Sequence, residues 1–104
     1  MSMNELETEE EIETTTEEEI KEPPRYKVLL LNDDYTTMDF VIEILITVFR
    51  KSFAEATKIM LNVHKNGVGI CGVYPYEVAE TKVAIVHATA QDRGFPLRCT
   101  IEKE

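Results

Sequence analysis

The net charge of this chain is concentrated in its first 22 residues. A folded domain is therefore expected only in the remaining, formally neutral part of the chain. Residues 1–22 hold ten of the twenty acidic residues and a single lysine, so this segment alone accounts for the net charge of −9. It consists mainly of Glu and Thr and cannot bury enough apolar surface to offset its ordering entropy, so we predict that it is disordered. Pro23-Pro24 then marks the start of one small, formally neutral domain over residues 23–104.

The charge distribution and the cysteines exclude several classes of protein. An acidic segment repels phosphate groups, which argues against nucleic acid and anionic membranes as partners. No run approaches the roughly 18 apolar residues of a membrane span, and no secretory signal is visible. Cys71 and Cys99 lack the spacing of metal ligands or of a redox pair. We interpret them as reduced, buried thiols of a cytoplasmic protein, since nothing in the sequence supports a disulfide.

Turn and capping residues divide residues 23–104 into six segments. Thr36 with Asp39, and Ser52 with Glu55, have the spacing of capping boxes and predict two successive helices. The six segments are a strand at 26–31, a helix of about 14 residues capped by Thr36, a helix from Ser52 to Asn66, a strand at 68–74, a helix at 76–93 and a strand at 97–102. The order β-α-α-β-α-β predicts an α+β domain in which one small sheet packs against the helices.

The sequence Asn32-Asp33-Asp34 places several oxygen acceptors between the first strand and the first helix, where binding groups are well held. These residues also suit a plain turn or helix cap. If the first two helices form a hairpin, His64 returns to this loop, although a histidine at a helix C-terminus is favourable by itself. The apolar residues predicted beside the loop, in ordinary core packing or as a pocket, are Met38, Val41, Met60 and Val63.

Three chemistries fit these residues. A metal site would use Asp33, Asp34 and His64, but adjacent carboxylates rarely point at one ion and no second-histidine motif is present. A nucleophilic pair of Cys71 and His64 lacks any orienting signature. A cation pocket needs only acceptors, and Asn32, Asp33 and a neutral His64 can accept the N–H donors of an ammonium group. Together with an apolar cavity, such acceptors predict a receptor for a hydrophobic amino-terminal residue.

Five segments of the chain resemble the ClpS adaptor family. They are residues 26–36, 60–64, 69–73, 77–83 and 96–102. The resemblance covers residues 23–104 and implies a three-stranded antiparallel sheet with three helices. Thr37 departs from it, because many relatives carry proline there; we expect slightly more loop freedom and no change of ligand.

The resemblance also implies what the protein does. It is expected to be a non-catalytic, monomeric adaptor without cofactor or metal, acting in the cytoplasm. Such an adaptor binds proteins that begin with Leu, Phe, Tyr or Trp. It delivers these substrates, called N-degrons, to a AAA+ unfoldase, ClpA or ClpC, for degradation by ClpP. The main alternative is a generic interaction domain without an amino-terminal pocket, which would tolerate loss of Asp33 and His64.

Family positions transfer to this sequence residue by residue. Asn32, Asp33 and His64 would hold the α-amino group of the substrate. The residues expected to line the pocket for its first side chain are Asp34, Thr36, Met38, Val41, Met60, Val63 and Leu97. Among these, Met38 would exclude β-branched first residues. Glu77 and Lys82 would dock on the N-terminal domain of the unfoldase, although a lysine without nearby acids, such as Lys82, is also compatible with a surface side chain lying along apolar neighbours.

Overall fold

The computed structural model describes residues 23–104, so the predicted disorder of residues 1–22 lies outside the described residues. The elements, in chain order, are β1 (Arg25–Leu31), α1 (Met38–Thr47), α2 (Phe53–Asn66), β2 (Val68–Pro75), α3 (Tyr76–Arg93) and β3 (Arg98–Lys103). The predicted order β-α-α-β-α-β is confirmed, and so is the α+β class. Within residues 23–104, no helix is both long and apolar enough to cross a membrane.

The three strands form one antiparallel sheet with β1 in the centre, in the order β2-β1-β3. Side chains alternate between the two faces of a strand. In β1, Val28 and Leu30 are fully buried against the helices, whereas the neighbouring Leu29 is only half-buried. The pairing of β1 with β2 shifts by one residue between Val28 and Leu29, which leaves Cys71 as the extra residue of a β-bulge. The sheet therefore has one face in the core and one open face.

Helix α1 begins one residue later than the capping-box prediction places it. The Asp33 carboxylate accepts hydrogen bonds from both the backbone N–H and the hydroxyl of Thr36, so Thr36 belongs to the preceding loop. Thr37 is the N-cap instead, and its hydroxyl oxygen accepts the N–H of Phe40 at 3.2 Å. The helix has 10 residues rather than about 14, and the left-handed conformation of Arg50 (φ 57°) turns the chain into α2.

Helix α1 lies between α2 and the end of α3, which explains why it is apolar on more than one side. Its residues Phe40, Val41, Ile44 and Leu45 are all buried. On the α3 side, the rings of Phe40 and Phe95 have centroids 4.9 Å apart. Helix α2 follows as predicted, with Ser52 accepting the N–H of Glu55 at its start and Gly67 (φ 85°) ending it.

Candidate functional site

The loop between β1 and α1 is organised by one carboxylate. Oδ1 of Asp33 accepts the backbone N–H groups of Tyr35 and Thr36 at 2.8 and 2.7 Å, and Oδ2 accepts the Thr36 hydroxyl at 2.6 Å. Partial burial raises the pKa of the Asp33 carboxyl, but the hydrogen bonds from Thr36 and Tyr35 outweigh this effect and leave the pKa below its ordinary value. The carboxylate is therefore held ionised and in a fixed orientation.

A backbone hydrogen bond fastens this loop to the end of α2. The N–H of Asn32 donates to the carbonyl oxygen of Gly67 at 2.9 Å. Gly67 adopts the left-handed conformation that favours glycine, and its own N–H donates to the Val63 carbonyl. His64 lies in the last turn of α2, so this bond holds its exposed imidazole beside the loop. The predicted helical hairpin is thus closed at the site by the backbone.

The loop and the two helices enclose a cavity of about 390 Å³. Its apolar wall comes from both helices, since Val41, Met60 and Val63 are each less than a tenth exposed, while Met38 is 47% exposed. Its polar wall comes from the loop and from His64. The lining residues are Asn32, Asp33, Asp34, Tyr35, Thr36, Thr37, Met38, Val41, Met60, Val63 and His64. The arrangement places hydrogen-bond acceptors next to an apolar space large enough for a side chain.

Nine of the ten residues expected at a binding site lie around this cavity. Leu97 does not: it is buried just before β3 and lines a separate depression of about 320 Å³ with His87 and Phe95. Tyr35 and Thr37 line the cavity and were not expected there. Their position in the same short loop as Asp33 and Thr36 is the signal that points to them.

The geometry of the described residues favours neither the nucleophilic pair of Cys71 and His64 nor the metal site. Cys71 faces the core, fully buried, and does not share the cavity with His64. Burial, with a smaller contribution from nearby Cys99, raises the pKa of its thiol to about 12, so it is not a thiolate nucleophile near neutral pH. Among residues 23–104, no three His, Cys, Asp or Glu side chains are placed to share a metal ion.

The two residues expected to dock on an unfoldase differ in their surroundings. Glu77 is exposed in the first turn of α3. The Lys82 ammonium donates to the carbonyl oxygen of Val48, the C-cap of α1, at 2.7 Å, and lies 5.1 Å from the centre of the Tyr74 ring. Lys82 therefore stabilises the end of α1 within the domain.

The fold and the cavity define a small α+β binding domain, and comparison with known proteins gives its family. The family model described as ATP-dependent Clp protease adaptor protein ClpS matches residues 21–100. This chain belongs to the ClpS family. It is accordingly an adaptor of the Clp protease and has no catalytic role of its own.

Several relatives match over nearly their full length. The ClpS adaptor of Oleidesulfovibrio alaskensis is 59% identical over 103 residues, which is 99% of each chain. That of Desulforapulum autotrophicum is 56% identical over 104 residues, all of both chains. Among solved structures, Agrobacterium tumefaciens ClpS2 bound to L-phenylalaninamide is 40% identical and superimposes with a TM-score of 0.77, covering 80% of this chain and 100% of that one.

Proposed function

We propose that the cavity binds the first residue of proteins that begin with Leu, Phe, Tyr or Trp, and that the protein delivers them to a AAA+ unfoldase, ClpA or ClpC, for degradation by ClpP. The observation that carries this proposal is the meeting of an apolar wall, Met60 and Val63, with an acceptor wall at one cavity of about 390 Å³. The ligand of the Agrobacterium relative, L-phenylalaninamide, combines the same two features, a free amino group and a large apolar side chain.

The acceptors account for recognition of the amino group. The α-amino group of a peptide has a pKa of about 7.7–8.0 and is mostly protonated at neutral pH. Its three donors match the Asn32 side-chain oxygen, the remaining lone pairs of Asp33 and a nitrogen of His64, all at the cavity. Acetylation removes the charge and two donors. We expect the unmatched acceptors to cost about 1–3 kcal/mol of binding free energy.

The apolar wall accounts for selection of the first side chain. Burying a Leu or Phe side chain contributes roughly 1.5–3 kcal/mol relative to leaving it exposed. A peptide that begins with Ala has too small a first side chain to obtain most of this binding free energy. Methionines suit a pocket that takes several shapes, because their unbranched side chains adapt. We expect Met38, which is half-exposed and lines the cavity, to restrict branching next to the amino group.

Binding tests of three labelled peptides examine the first half of the proposal. We expect saturable fluorescence anisotropy with a Leu-start peptide and much weaker binding of its acetylated form and of an Ala-start form. Equal binding of all three would remove the proposal and favour a generic interaction domain.

Delivery needs a second assay. With a purified unfoldase and ClpP, degradation of a Leu-start reporter should depend on this protein. Glu77→Lys should impair degradation without changing peptide affinity, because Glu77 is exposed and does not line the cavity. Glu80→Lys, another exposed acid of α3, is the matched variant. Unchanged degradation with Glu77→Lys would place the docking surface elsewhere.

A further inference from the structure

Strand β3 is an edge strand of the described sheet, and part of its backbone points outward. The sheet order β2-β1-β3 gives β3 one neighbouring strand within residues 23–104. The N–H of Glu104 donates to the carbonyl oxygen of Arg25 at 2.9 Å, so every second residue counted back from Glu104 turns its backbone groups toward β1. Cys99 and Ile101 therefore turn their N–H and C=O groups toward the open edge. Such an edge is a template for pairing with another strand.

A histidine of α3 occupies the first donor of this edge. Nε2 of the half-buried His87 accepts the backbone N–H of Cys99 at 3.0 Å. A ring nitrogen accepts a hydrogen bond only when it carries no proton, so this contact requires a neutral imidazole with its proton on Nδ1. While the contact persists, the Cys99 N–H cannot pair with an incoming strand. A neutral His87 therefore protects the edge of β3.

The sequence of β3 is complementary to itself in an antiparallel arrangement. If two copies pair about a two-fold axis at Thr100, Arg98 of each copy stands opposite Glu102 of the other, and Cys99 stands opposite Ile101. The pairs of Cys99 with Ile101 would exchange hydrogen bonds, because both residues carry outward backbone groups. The pairs of Arg98 with Glu102 would then be close, non-hydrogen-bonded pairs of opposite charge, which stabilise a sheet.

We propose that β3 pairs with β3 of a second copy in the register centred on Thr100, and that a neutral His87 blocks this pairing until it is protonated or removed. Glu102 faces Lys27 across the β1–β3 pair, so in the paired state it lies between two cations. Six residues from each copy make a contact smaller than that of a standard stable interface. We therefore expect pairing to be weak and to depend on protein concentration.

The groups around His87 determine what protonation does. Among the residues that line the depression with His87, Arg98 on β3 is the charged one, and burial raises the pKa of the neighbouring Cys99 thiol to about 12. The residues one turn away on α3 are uncharged, as are the core side chains of β1 and β2 within residues 23–104. Glu43, an acid of α1 near the end of α3, is paired with Arg93. Protonation removes the acceptor for Cys99 and places a second cation near Arg98, so it favours release of the imidazole to solvent.

A cysteine at the two-fold axis tests the register on the full chain. Thr100 is exposed, and its Cβ would lie about 4.5–5.5 Å from its counterpart in the second copy, whereas Cys71 and Cys99 are buried. Under mild oxidation near neutral pH, we expect Thr100→Cys with His87→Ala to form a disulfide-linked dimer severalfold faster than Thr100→Cys alone. Thr47→Cys with His87→Ala, exposed on α1, is the matched control and should stay monomeric.

Sedimentation of chains without added cysteines tests the proton dependence. We expect the apparent mass of the unmodified chain to rise toward that of a dimer as pH falls through the range in which imidazoles titrate, about 5–8. His87→Gln keeps an acceptor for the Cys99 N–H and cannot be protonated there, so it should stay monomeric throughout. His64→Gln removes the other histidine of the chain and should behave like the unmodified protein.

Charge exchange distinguishes this register from general association. Arg98→Glu should abolish the acid dimer, because two acids then face each other, and Arg98→Glu combined with Glu102→Arg should restore it. An acid dimer that survives Arg98→Glu, or one that forms equally in His87→Gln, would overturn the proposal. So would a Thr100→Cys cross-link that does not depend on His87, or the absence of that cross-link with His87→Ala.

Discussion

The Asp33 carboxylate orders the β1–α1 loop before any ligand arrives. Its three hydrogen bonds to Tyr35 and Thr36 fix the backbone that carries Asn32 and Asp34. Asp33 can contribute to binding in two ways, by ordering the loop and by offering negative charge to the ligand. Substitutions at this single residue can distinguish the two contributions.

We predict that Asp33→Ala weakens binding of a Leu-start peptide by more than tenfold, about 1.4 kcal/mol, while the domain stays folded. Asp33→Asn keeps an oxygen for the N–H groups of Tyr35 and Thr36 and loses the charge, so it should bind weakly with a loop that remains ordered. Anisotropy titration gives the affinity, and the amide shifts of residues 35 and 36 report the loop. Asp92→Asn on α3 is the control; a folded Asp33→Ala protein with unchanged affinity would contradict the assignment.

The lowered pKa of Asp33 predicts a pH dependence for the loop. Because the folded-state pKa lies below the unfolded value, the carboxylate stabilises the loop fully above the unfolded value, about 3.9. This stabilisation is lost as pH falls through the folded pKa. The amide shifts of Tyr35 and Thr36 should therefore be constant from pH 7 to 5 and change only in strong acid. A transition near pH 6 that persists in a His64→Gln variant would contradict this cause.

Met38→Ala should admit peptides that begin with Ile or Val. Under the proposed function, the Met38 side chain, which is 47% exposed and lines the cavity, would fill the space that a β-branched first residue needs. We expect titrations to show increased affinity for Ile and Val starts and little change for Leu. Leu61→Ala, a similarly exposed apolar side chain on α2 outside the cavity, is the matched variant. Continued rejection of Ile and Val starts would show that Met38 is not the gate.

At the scale of elements, the end of α1 depends on a side chain from α3. Lys82 donates to the Val48 carbonyl and lies near the Phe49 and Tyr74 rings. We predict that Lys82→Met lowers the free energy of unfolding by about 1–2 kcal/mol, because a charged hydrogen bond is lost. Urea unfolding would measure this against Lys58→Met, a lysine exposed on α2. Equal stability of the two variants would contradict the capping role.

The ends of helices can be predicted from sequence where capping residues and glycines close to those ends determine them. Ser52 with Glu55, Gly67 and Gly94 determine helix ends through contacts within a few residues, and α3 occupies the predicted range 76–93. The capping-box pattern predicts the start of α1 one residue early, because Thr36 and Thr37 are equivalent as caps in sequence. Only the hydrogen bonds of Asp33 to Thr36, formed when the loop folds, distinguish them.

At the scale of the whole molecule, the sheet order explains why the two cysteines stay reduced. Cys71 lies on β2 and Cys99 on β3, with β1 between them. Neighbouring strands are about 4.8 Å apart, so these two lie beyond the roughly 7 Å limit for a disulfide. Burial raises the pKa of each thiol to about 12.

Both thiols should therefore resist alkylation. At pH 8 we expect iodoacetamide to modify neither Cys71 nor Cys99 in the folded protein over a period in which both react completely in denaturant. Intact-mass measurement follows the modification. Rapid labelling of the folded chain would contradict their placement in the core.

Contacts between residues far apart in the chain are hard to predict from the residue pattern alone. The hairpin hypothesis places His64 beside Asn32, because in a helical hairpin the end of the second helix returns to the start of the first; both residues line the cavity. In contrast, the family resemblance predicts Leu97 at the cavity, whereas in the structure Leu97 lines another depression. The contact of Lys82 with Val48, 34 residues apart, depends on how α3 crosses α1, which neither helix encodes by itself.

Whether the cavity binds an amino-terminal residue is tested by titrating ¹⁵N-labelled protein with L-phenylalaninamide and, separately, with its N-acetyl form. We predict saturable amide shifts in residues 32–38 and 60–64 with the free amine and none with the acetylated compound. Shifts located elsewhere, or the same response to both compounds, would contradict an amino-terminal residue in this cavity.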